Sequence, residues 1–468
     1  MKIQAPIIKG DRVELADYRD ALPVNLTAVA RAIKGANGYL NSHPGLVAHG
    51  TGSGLDRGGI WNERLQTHFR VSGTDFISVD AAGAVTVLGT ISGIKRATVS
   101  AYSFNTQSIV ADGKWWLYDG TTLTLQTDHN IGTPIDQTWI DGFYFFTDGE
   151  SLYHTLLADE TAIDPLDFST AEFSPDPTLA VDITQDNQVI VFGRYSTEYF
   201  ISRATDNFAF QRLANKSIKA GVIGTHCETE LNGTFYFLGG GKEESPSVHY
   251  ISAGTYESIA TREIDKLIAK YDEEELVDAV LETRVIDRDN FIVVRLPGET
   301  LLCNLTIAKS MGLEAAWTVV KSGVITDTKW RGVNGVFDPR IPGWVYGDNQ
   351  DERIGLLDHS LASQYGDEVE FLFYTPLLDI ESFSIDGFEI DTIPGMQIDS
   401  KKVTAAFSLT YNGLTYGREW WDLISEQFNY DTRFIRRRLG YVRDNIGFKV
   451  RVVTAERCAF SKMEVTYS

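Results

Sequence analysis

Seven cations fall within the twenty residues RFIRRRLGYVRDNIGFKVRV: Arg433, Arg436, Arg437, Arg438, Arg443, Lys449 and Arg451. A guanidinium fork pairs with a carboxylate or a phosphate, so the stretch reads as an ion-pairing or anion-binding site. The rest of the chain favours the carboxylate. Asp and Glu number 64 against 42 Lys and Arg, and the formal charge is −22. A protein that grips duplex DNA would carry further basic patches and a basic overall balance. Strand alternation puts Phe434, Arg436 and Arg438 on one face and Ile435, Arg437 and Leu439 on the other. Both faces mix apolar and cationic groups, the pattern of a partly buried strand rather than a solvated tail. Arg433, Arg436, Arg437, Arg438, Arg443 and Arg451 are therefore the candidate interface residues. Ion pairs within the domain and contacts between subunits both satisfy the pattern.

Other stretches with catalytic overtones fail on spacing. HGTGSGLDRGG (His49 to Gly59) is rich in glycine, but a dinucleotide turn needs a strand before it and a helix after, and no Lys-Ser/Thr closes a phosphate loop. A nucleophile elbow needs Ser where Gly52 stands. The eight histidines form no H-x-H, H-E-x-x-H or H-x-x-x-H. GDNQDERIG (Gly347 to Gly355) lacks the alternating acids and distal Glu of a calcium loop. SVDAAGAVTV (Ser78 to Val87) is one residue longer than the Asp-box turn of sialidases, and no pair of carboxylates stands out as a glycosidase pair. Trp115 and Trp116 are adjacent, so a strand presents at most one of them to a sugar. The expectation is a protein with no catalytic residue, no cofactor and no metal.

The elements that carry these residues are mostly strands. From about residue 60 to 360 a short aromatic or aliphatic strand is followed by an Asp/Asn/Gly turn and another such strand. Examples are SIVADGKWWLYDGTTLTLQ, TWIDGFYFFTDGESLYHTL and ELNGTFYFLGGG. The turns near Gly73, Gly113, Gly142, Asn187, Gly233, Asn290 and Gly343 average close to the ~40–50 residues of a propeller blade. Each hairpin buries one face and needs a neighbour, which radial repetition supplies. The expectation is mainly β: a β-propeller of six or seven blades over 56–365, with a large sandwich or stacked hairpins as the competing arrangement. A helical insertion near 258–283 interrupts it. There Ile264, Leu267, Ile268 and Tyr271 mark an amphipathic helix, and Asp272 with Glu275 forms a capping signature. From 366 to 468 the strand rhythm changes to that of a compact β-sandwich. Residues 1–55, with LPVNL and SHPGL, read as an irregular arm packing on that C-terminal platform.

Cys227, Cys303 and Cys458 are sparse and odd in number, which argues against a disulfide framework and fits a reducing cytoplasm. MKIQAPIIKGDRVEL lacks the apolar core of a signal peptide, and no apolar run approaches the ~20 residues that span a bilayer.

Taken in order, several stretches resemble the tail nozzle protein of short-tailed bacteriophages, also called the packaged-DNA stabilisation protein or tail accessory factor. They are DYRDALPVNL (Asp17 to Leu26), GYLNSHPGL (Gly38 to Leu46), STEYF (Ser196 to Phe200), KAGVIGTHC (Lys219 to Cys227), SPSVHYI (Ser245 to Ile251), QYGDEVEFLFYTPL (Gln364 to Leu377), NGLTYGREW (Asn412 to Trp420) and IGFKVRVVT (Ile446 to Thr454). No one of them is a catalytic signature; their order over nearly the whole chain carries the likeness. The resemblance implies a structural virion protein, assembled in the host cytoplasm and placed in the virion tail. It implies a homo-oligomeric, hexameric ring below the portal and adaptor that extends the DNA channel and retains packaged DNA. It also implies docking of tailspikes or fibres and of a needle or plug protein, without membrane anchoring or sequence-specific DNA binding. An acidic conduit suits that role, because phosphate attraction to Lys and Arg is strong and salt-dependent. The rival reading is a carbohydrate-binding or carbohydrate-cleaving propeller of a phage tail.

Overall fold

The structure is a computed structural model. It describes the chain except residues 1, 6, 9–21, 34, 158, 172, 204–207, 325–328, 380–381 and 393–401. Asp17 to Ala21 of the first family-like stretch lies outside the described residues.

Seven antiparallel sheets follow one another from residue 56 to 358 and close into a β-propeller. Blade 1 holds Asp56–Asn62, Thr67–Ser72, Asp75–Val79 and Val85–Thr90. Blade 2 has three strands, Gln107–Ala111, Lys114–Tyr118 and Leu123–Leu125, and blade 3 runs from Asp136–Ile140 to Phe168–Ser169. Blade 4 begins at Thr178–Ile183, blade 5 is built around Glu228–Leu231 and Thr234–Gly240, and blade 6 runs from Val280–Ile286 to Trp317–Val320. Blade 7 is Gly332–Asp338, Gly343–Asp348 and Arg353–Asp358, completed on its outside by Gly45–Thr51. Several hairpins turn on a pair of left-handed residues, Asp112-Gly113, Asp141-Gly142 and Asn232-Gly233, the backbone that matches the twist of two-residue loops.

The closing strand revises the expectation for residues 1–55. Leu26–Val29 and Tyr39–Ser42 pair with each other, and Tyr39–Ser42 and Lys2–Ala5 both pair with the C-terminal strand Ala459–Tyr467. Gly45–Thr51 instead leaves for blade 7. An open propeller exposes the outer strand of its last blade, and this segment satisfies that edge.

The helical insertion is two short helices, Arg262–Ile268 and Glu273–Leu276, burying Ile264, Ile268 and Leu276. Asp272 accepts from the Glu275 backbone while the Glu275 side chain accepts from the Asp272 backbone, a complete capping box. Two further helices, Leu305–Met311 and Leu313–Ala316, interrupt blade 6. Asn304 starts the first by accepting from Thr306 and Ile307 N–H.

The C-terminal domain is a β-sandwich. One sheet runs in the order Leu26–Val29, Tyr39–Ser42, Ala459–Tyr467, Phe383–Thr392, Phe434–Val442. The other runs Val369–Tyr374, Asn445–Thr454, Lys402–Thr410, Trp420–Glu426. Phe388 and Phe434 from the first meet Phe407 and Phe448 from the second, with Phe388 and Phe407 centroids 4.3 Å apart. Such edge-on aromatic packing adds to the burial that holds the sheets together.

Residues 23–25 join the domains. Val24 N donates to Leu372 O and Asn25 N to Val319 O, both at 2.8 Å. The Asn25 amide donates to the carbonyls of Lys321 and Glu370 and accepts from Lys321 N–H. One buried side chain thus ties the outer strand of blade 6 to the sandwich, and the Lys321–Glu370 ion pair, at 2.6 Å, crosses the same seam. Cys227, Cys303 and Cys458 are buried and free.

Candidate functional site

The strand Phe434–Val442 carries Arg436, Arg437 and Arg438 and, among the described residues, is the outermost of its sheet, paired only with Phe383–Thr392. Trp420–Glu426 is the edge of the facing sheet, and the two edge strands lie side by side. The basic stretch therefore sits where both layers of the sandwich end.

Phe434 anchors the strand in the aromatic core. Two residues on, the Arg436 guanidinium lies 5.8 Å from the centre of the Phe407 ring, and its Nε is 3.4 Å from Asp422. Beyond that point regular alternation fails. The step from Ile385 to Gly387 spans Gly440 to Arg437 on the basic strand, but only Tyr467 to Thr466 on the other neighbour. The extra residues form a bulge, in which Arg438 has φ +60° and Gly440 φ +97°. Gly387 permits the approach: a Cβ there would lie 2.5 Å from Arg436 O. As a result Arg438 does not share the inward face with Phe434 and Arg436. Arg437 and Arg438 are both exposed.

The candidate residues fall into three groups. Arg433 makes a two-pronged pair with Glu389, both contacts 2.6 Å, on the exposed surface. Arg451 belongs to the domain seam: its Nε meets Glu370 at 2.5 Å, the same carboxylate that Lys321 reaches from blade 6, and its Nη1 lies 3.5 Å from Glu419. Lys449 lies between Glu419, at 3.1 Å, and the Tyr416 ring. Arg437, Arg438 and Arg443 are exposed and have no ion-pair partner among the described residues. Around this free set stand exposed aromatics that the sequence reading missed: Trp421, Phe428, Tyr430 and Tyr441, with Phe428 77% and Tyr441 62% accessible. Most of them lie in 420–430, where the strand Trp420–Glu426 was not read; its run of aromatic and aliphatic residues, WWDLI, is the signal that marks it. Among the described residues the edge thus presents guanidinia without ion-pair partners and exposed rings side by side with unpaired strand backbone.

The other motifs are structural. The glycine-rich stretch is the crossover from the closing strand to blade 1, and the Arg57 guanidinium there donates to the carbonyls of Lys95, Gly73 and Ser92. In the Gly347–Gly355 loop, Asp348 and Asp351 are held by Arg331 and Arg353, at 2.5 to 2.6 Å. The Arg353 hydrogen bond leads in drawing the Asp351 carboxyl down to about 2. Asp80 accepts from Ala82 and Ala84 N–H in a tight turn. Trp115 and Trp116 are both buried, so neither is free to stack on a sugar. Among the described residues no group of His, Cys, Asp or Glu is arranged to hold a metal ion.

The propeller axis holds a cavity of about 260 Å³ lined by Asp136, Asp182, Glu228, Glu230, Glu282 and Arg96. Burial pushes Asp136 up to about 7 and Asp182 up to about 6, and raises Glu228 well above its usual range, with Asp182 and Asp136 adding repulsion. Glu282 runs the other way, down to about 2, because Arg295 and Arg96 outweigh its burial. These acids come from inner strands of different blades, so their convergence depends on ring closure.

Two family models divide the chain at this domain boundary. The one described as Bacteriophage P22 Gp10, beta-propeller, matches residues 3–362, and the one described as Bacteriophage P22 Gp10, beta-sandwich, matches 370–468. The tail hub protein gp10 of Salmonella phage P22 is 29% identical over 480 residues, covering 99% of this chain and 98% of that protein. Among solved structures, a streptogramin B lyase is 10% identical with a TM-score of 0.42, covering 68% of this chain and 97% of its own. The N-terminal domain of Nup159 is likewise 10% identical with a TM-score of 0.42, covering 72% of this chain and 100% of its own.

Proposed function

The chain belongs to the bacteriophage P22 Gp10 family of phage tail hub proteins, a component of the virion tail, and from that premise we propose that it forms a closed homo-oligomeric ring, hexameric, continuing the DNA channel below the portal and adaptor. In this reading the ring retains packaged DNA, and it offers surfaces to tailspikes or fibres and to a plug. The observation that carries it is the match to a tail hub protein over 99% of the chain, spanning both domains in order.

The physical features support a structural role. A ring needs two different surfaces that complement each other under a rotation that closes. The sandwich edge, with Arg437, Arg438, Arg443 and the exposed aromatics, supplies one of them. The sandwich and the N-terminal strands paired with it form the platform toward the adaptor, and the propeller projects away. The charge of −22 lets DNA pass without adhering.

Electron microscopy of the purified protein mixed with adaptor-bearing, DNA-filled heads tests this. Closed six-fold rings at the tail vertex are expected, together with weak duplex binding by the free protein at physiological salt. Nanomolar DNA affinity, hydrolysis of a host polysaccharide, or absence of rings from the vertex would overturn the reading.

A further inference from the structure

Two groups of exposed apolar side chains stand apart in the fold. One decorates the sandwich edge. The other belongs to blade 3, where Leu157, Leu166 and Phe168 are 66%, 68% and 56% accessible and Leu157 reaches back to Gly142 at the turn of the inner hairpin. The sandwich is fastened to the outer strand of blade 6 through Val24 and Asn25. In a closed ring of seven blades, blades 2 and 3 stand opposite blade 6, so the outer rim of blade 3 is, with that of blade 2, remote from the sandwich. The three side chains belong to one excursion, which leaves the third strand of the blade, Leu152–His154, and returns as its fourth, Phe168–Ser169. That last strand has two residues and, among the described residues, pairs on one side only and leaves the blade's edge open. Exposed apolar groups beside an open strand edge are the mark of an interaction surface.

Charge selects the occupant. Between Lys114 and Arg194 the chain has no lysine or arginine, while fourteen Asp and Glu fall in that span. On the rim Asp159 and Asp164 are exposed and Asp167 is half-buried beside Asp164, whose charge adds to burial in raising it. Among the described residues the Asp159 and Asp164 carboxylates accept from local groups, Thr161 and the Leu166 N–H. Blade 3 has no lysine or arginine to neutralise them, and burial holds its His154, beside Asp167, toward the neutral form. The surface repels nucleic acid and the same rim of another copy, and ring assembly by the charge-reversed variant below tells a partner protein from the arginine-bearing edge of a neighbouring copy.

We propose that the outer rim of blade 3 docks a cationic, apolar-bearing segment of another tail protein, whose Lys or Arg side chains pair with Asp159, Asp164 and Asp167 while its apolar side chains cover Leu157, Leu166 and Phe168. This rests on the reading that the chain docks other tail components, and it assigns that role to the end of the propeller remote from the ring-forming edge.

The test is hydroxyl-radical footprinting of Leu157, Leu166 and Phe168 in the free protein and in intact tails, with carbodiimide cross-linking of the same tails. Oxidation of the three side chains is expected to be lost in the tails, and the peptide holding Asp159 and Asp164 to cross-link to lysines of a different tail protein. Unchanged oxidation overturns the proposal, and so do cross-links confined to lysines of this chain, which would make the rim a self-contact. The D159K/D164K/D167K variant separates the two readings: it is expected to form rings at the vertex yet to lose the cross-linked partner. If this variant alone fails to form rings, the rim serves ring closure and the proposal is wrong; if the unaltered protein forms none, the ring reading fails and the footprint still decides the rim.

Discussion

Arg284 Nη2 lies 2.7 Å from His43 Nε2, and both side chains are buried. His43 stands between the sandwich strand Tyr39–Ser42 and the propeller-closing strand Gly45–Thr51, while Arg284 comes from the inner strand of blade 6. The guanidinium is flanked by the rings of Phe291 and Trp330 at 5.2 and 5.6 Å, and the His43 ring meets Trp330 edge-on. Because arginine only donates, Nε2 accepts and the imidazole is neutral, with its proton on Nδ1. A cation and a neutral histidine thus hold the crossover between the domains.

This pair makes the crossover acid-sensitive. Burial, followed by the Arg284 charge and His359, holds the His43 pKa well below its usual 6.5. The folded chain therefore binds fewer protons here than the unfolded chain does below that value. The contribution is whole above pH 6.5 and declines as pH falls. Differential scanning fluorimetry from pH 7.5 to 5 should show the melting temperature falling, and falling less steeply in His43→Gln, which keeps the acceptor without the titration. Identical slopes would remove His43 from the account.

The axial acids act in the opposite sense. Asp136 is pushed up to about 7, chiefly by burial, against hydrogen bonds from Val181 N–H and Thr98 Oγ1. Its folded pKa exceeds the unfolded value, so the native state holds this proton between about pH 4 and 7, and the benefit is lost as pH rises through 7. Asp136→Asn should melt higher than the parent at pH 8, and the two should converge toward pH 5. A variant that melts lower at both pH values would show that the carboxylate itself is needed.

Glu282 tests the worth of a buried charge. Arg295 reaches it with two contacts of 3.1 and 3.0 Å, Arg96 approaches at 3.4 Å, and Asn334 N donates to it. Removing the acid strands Arg295 inside the propeller, so Glu282→Ala should cost about 3–5 kcal/mol in urea unfolding. Arg433→Ala, which breaks an exposed pair with Glu389, should leave the transition where it was. Equal effects from the two would mean that solvent screens the axis as well as the surface.

What could be read from the chain was local. Asp112-Gly113 and Asn232-Gly233 announce hairpins because each turn needs two adjacent left-handed residues, and Asp272 with Glu275 announces a helix start because both donors are satisfied within one turn. The strand Gly45–Thr51 could not be assigned in this way, since its partner Arg353–Asp358 lies at the far end of the propeller sequence and the pairing reflects closure alone. The basic stretch was legible as a strand rich in arginine. Its division into paired and free arginines was not, because a bulge opposite Gly387 turns Arg438 outward and only the fold brings Lys321 and Arg451 to one carboxylate.

That division gives the sharpest test of the sandwich edge. Changing Arg436 disturbs the domain itself, because its guanidinium covers Phe407 and pairs with Asp422, and Arg451 is committed to the seam with Glu370. Arg437 and Arg438 have no ion-pair partner among the described residues, and the bulge keeps both clear of the core. Arg437→Glu with Arg438→Glu should therefore leave the melting temperature of the isolated protein unchanged, while a carboxylate-lined neighbour would now repel the edge. Ring assembly at the tail vertex, followed by sedimentation and negative-stain microscopy, should be lost. Arg437→Lys with Arg438→Lys keeps the charge but not the fork, and should restore assembly in part. If the glutamate variant builds normal rings and only retention of DNA in filled heads fails, the free arginines contact phosphate and the assignment to protein contacts is wrong.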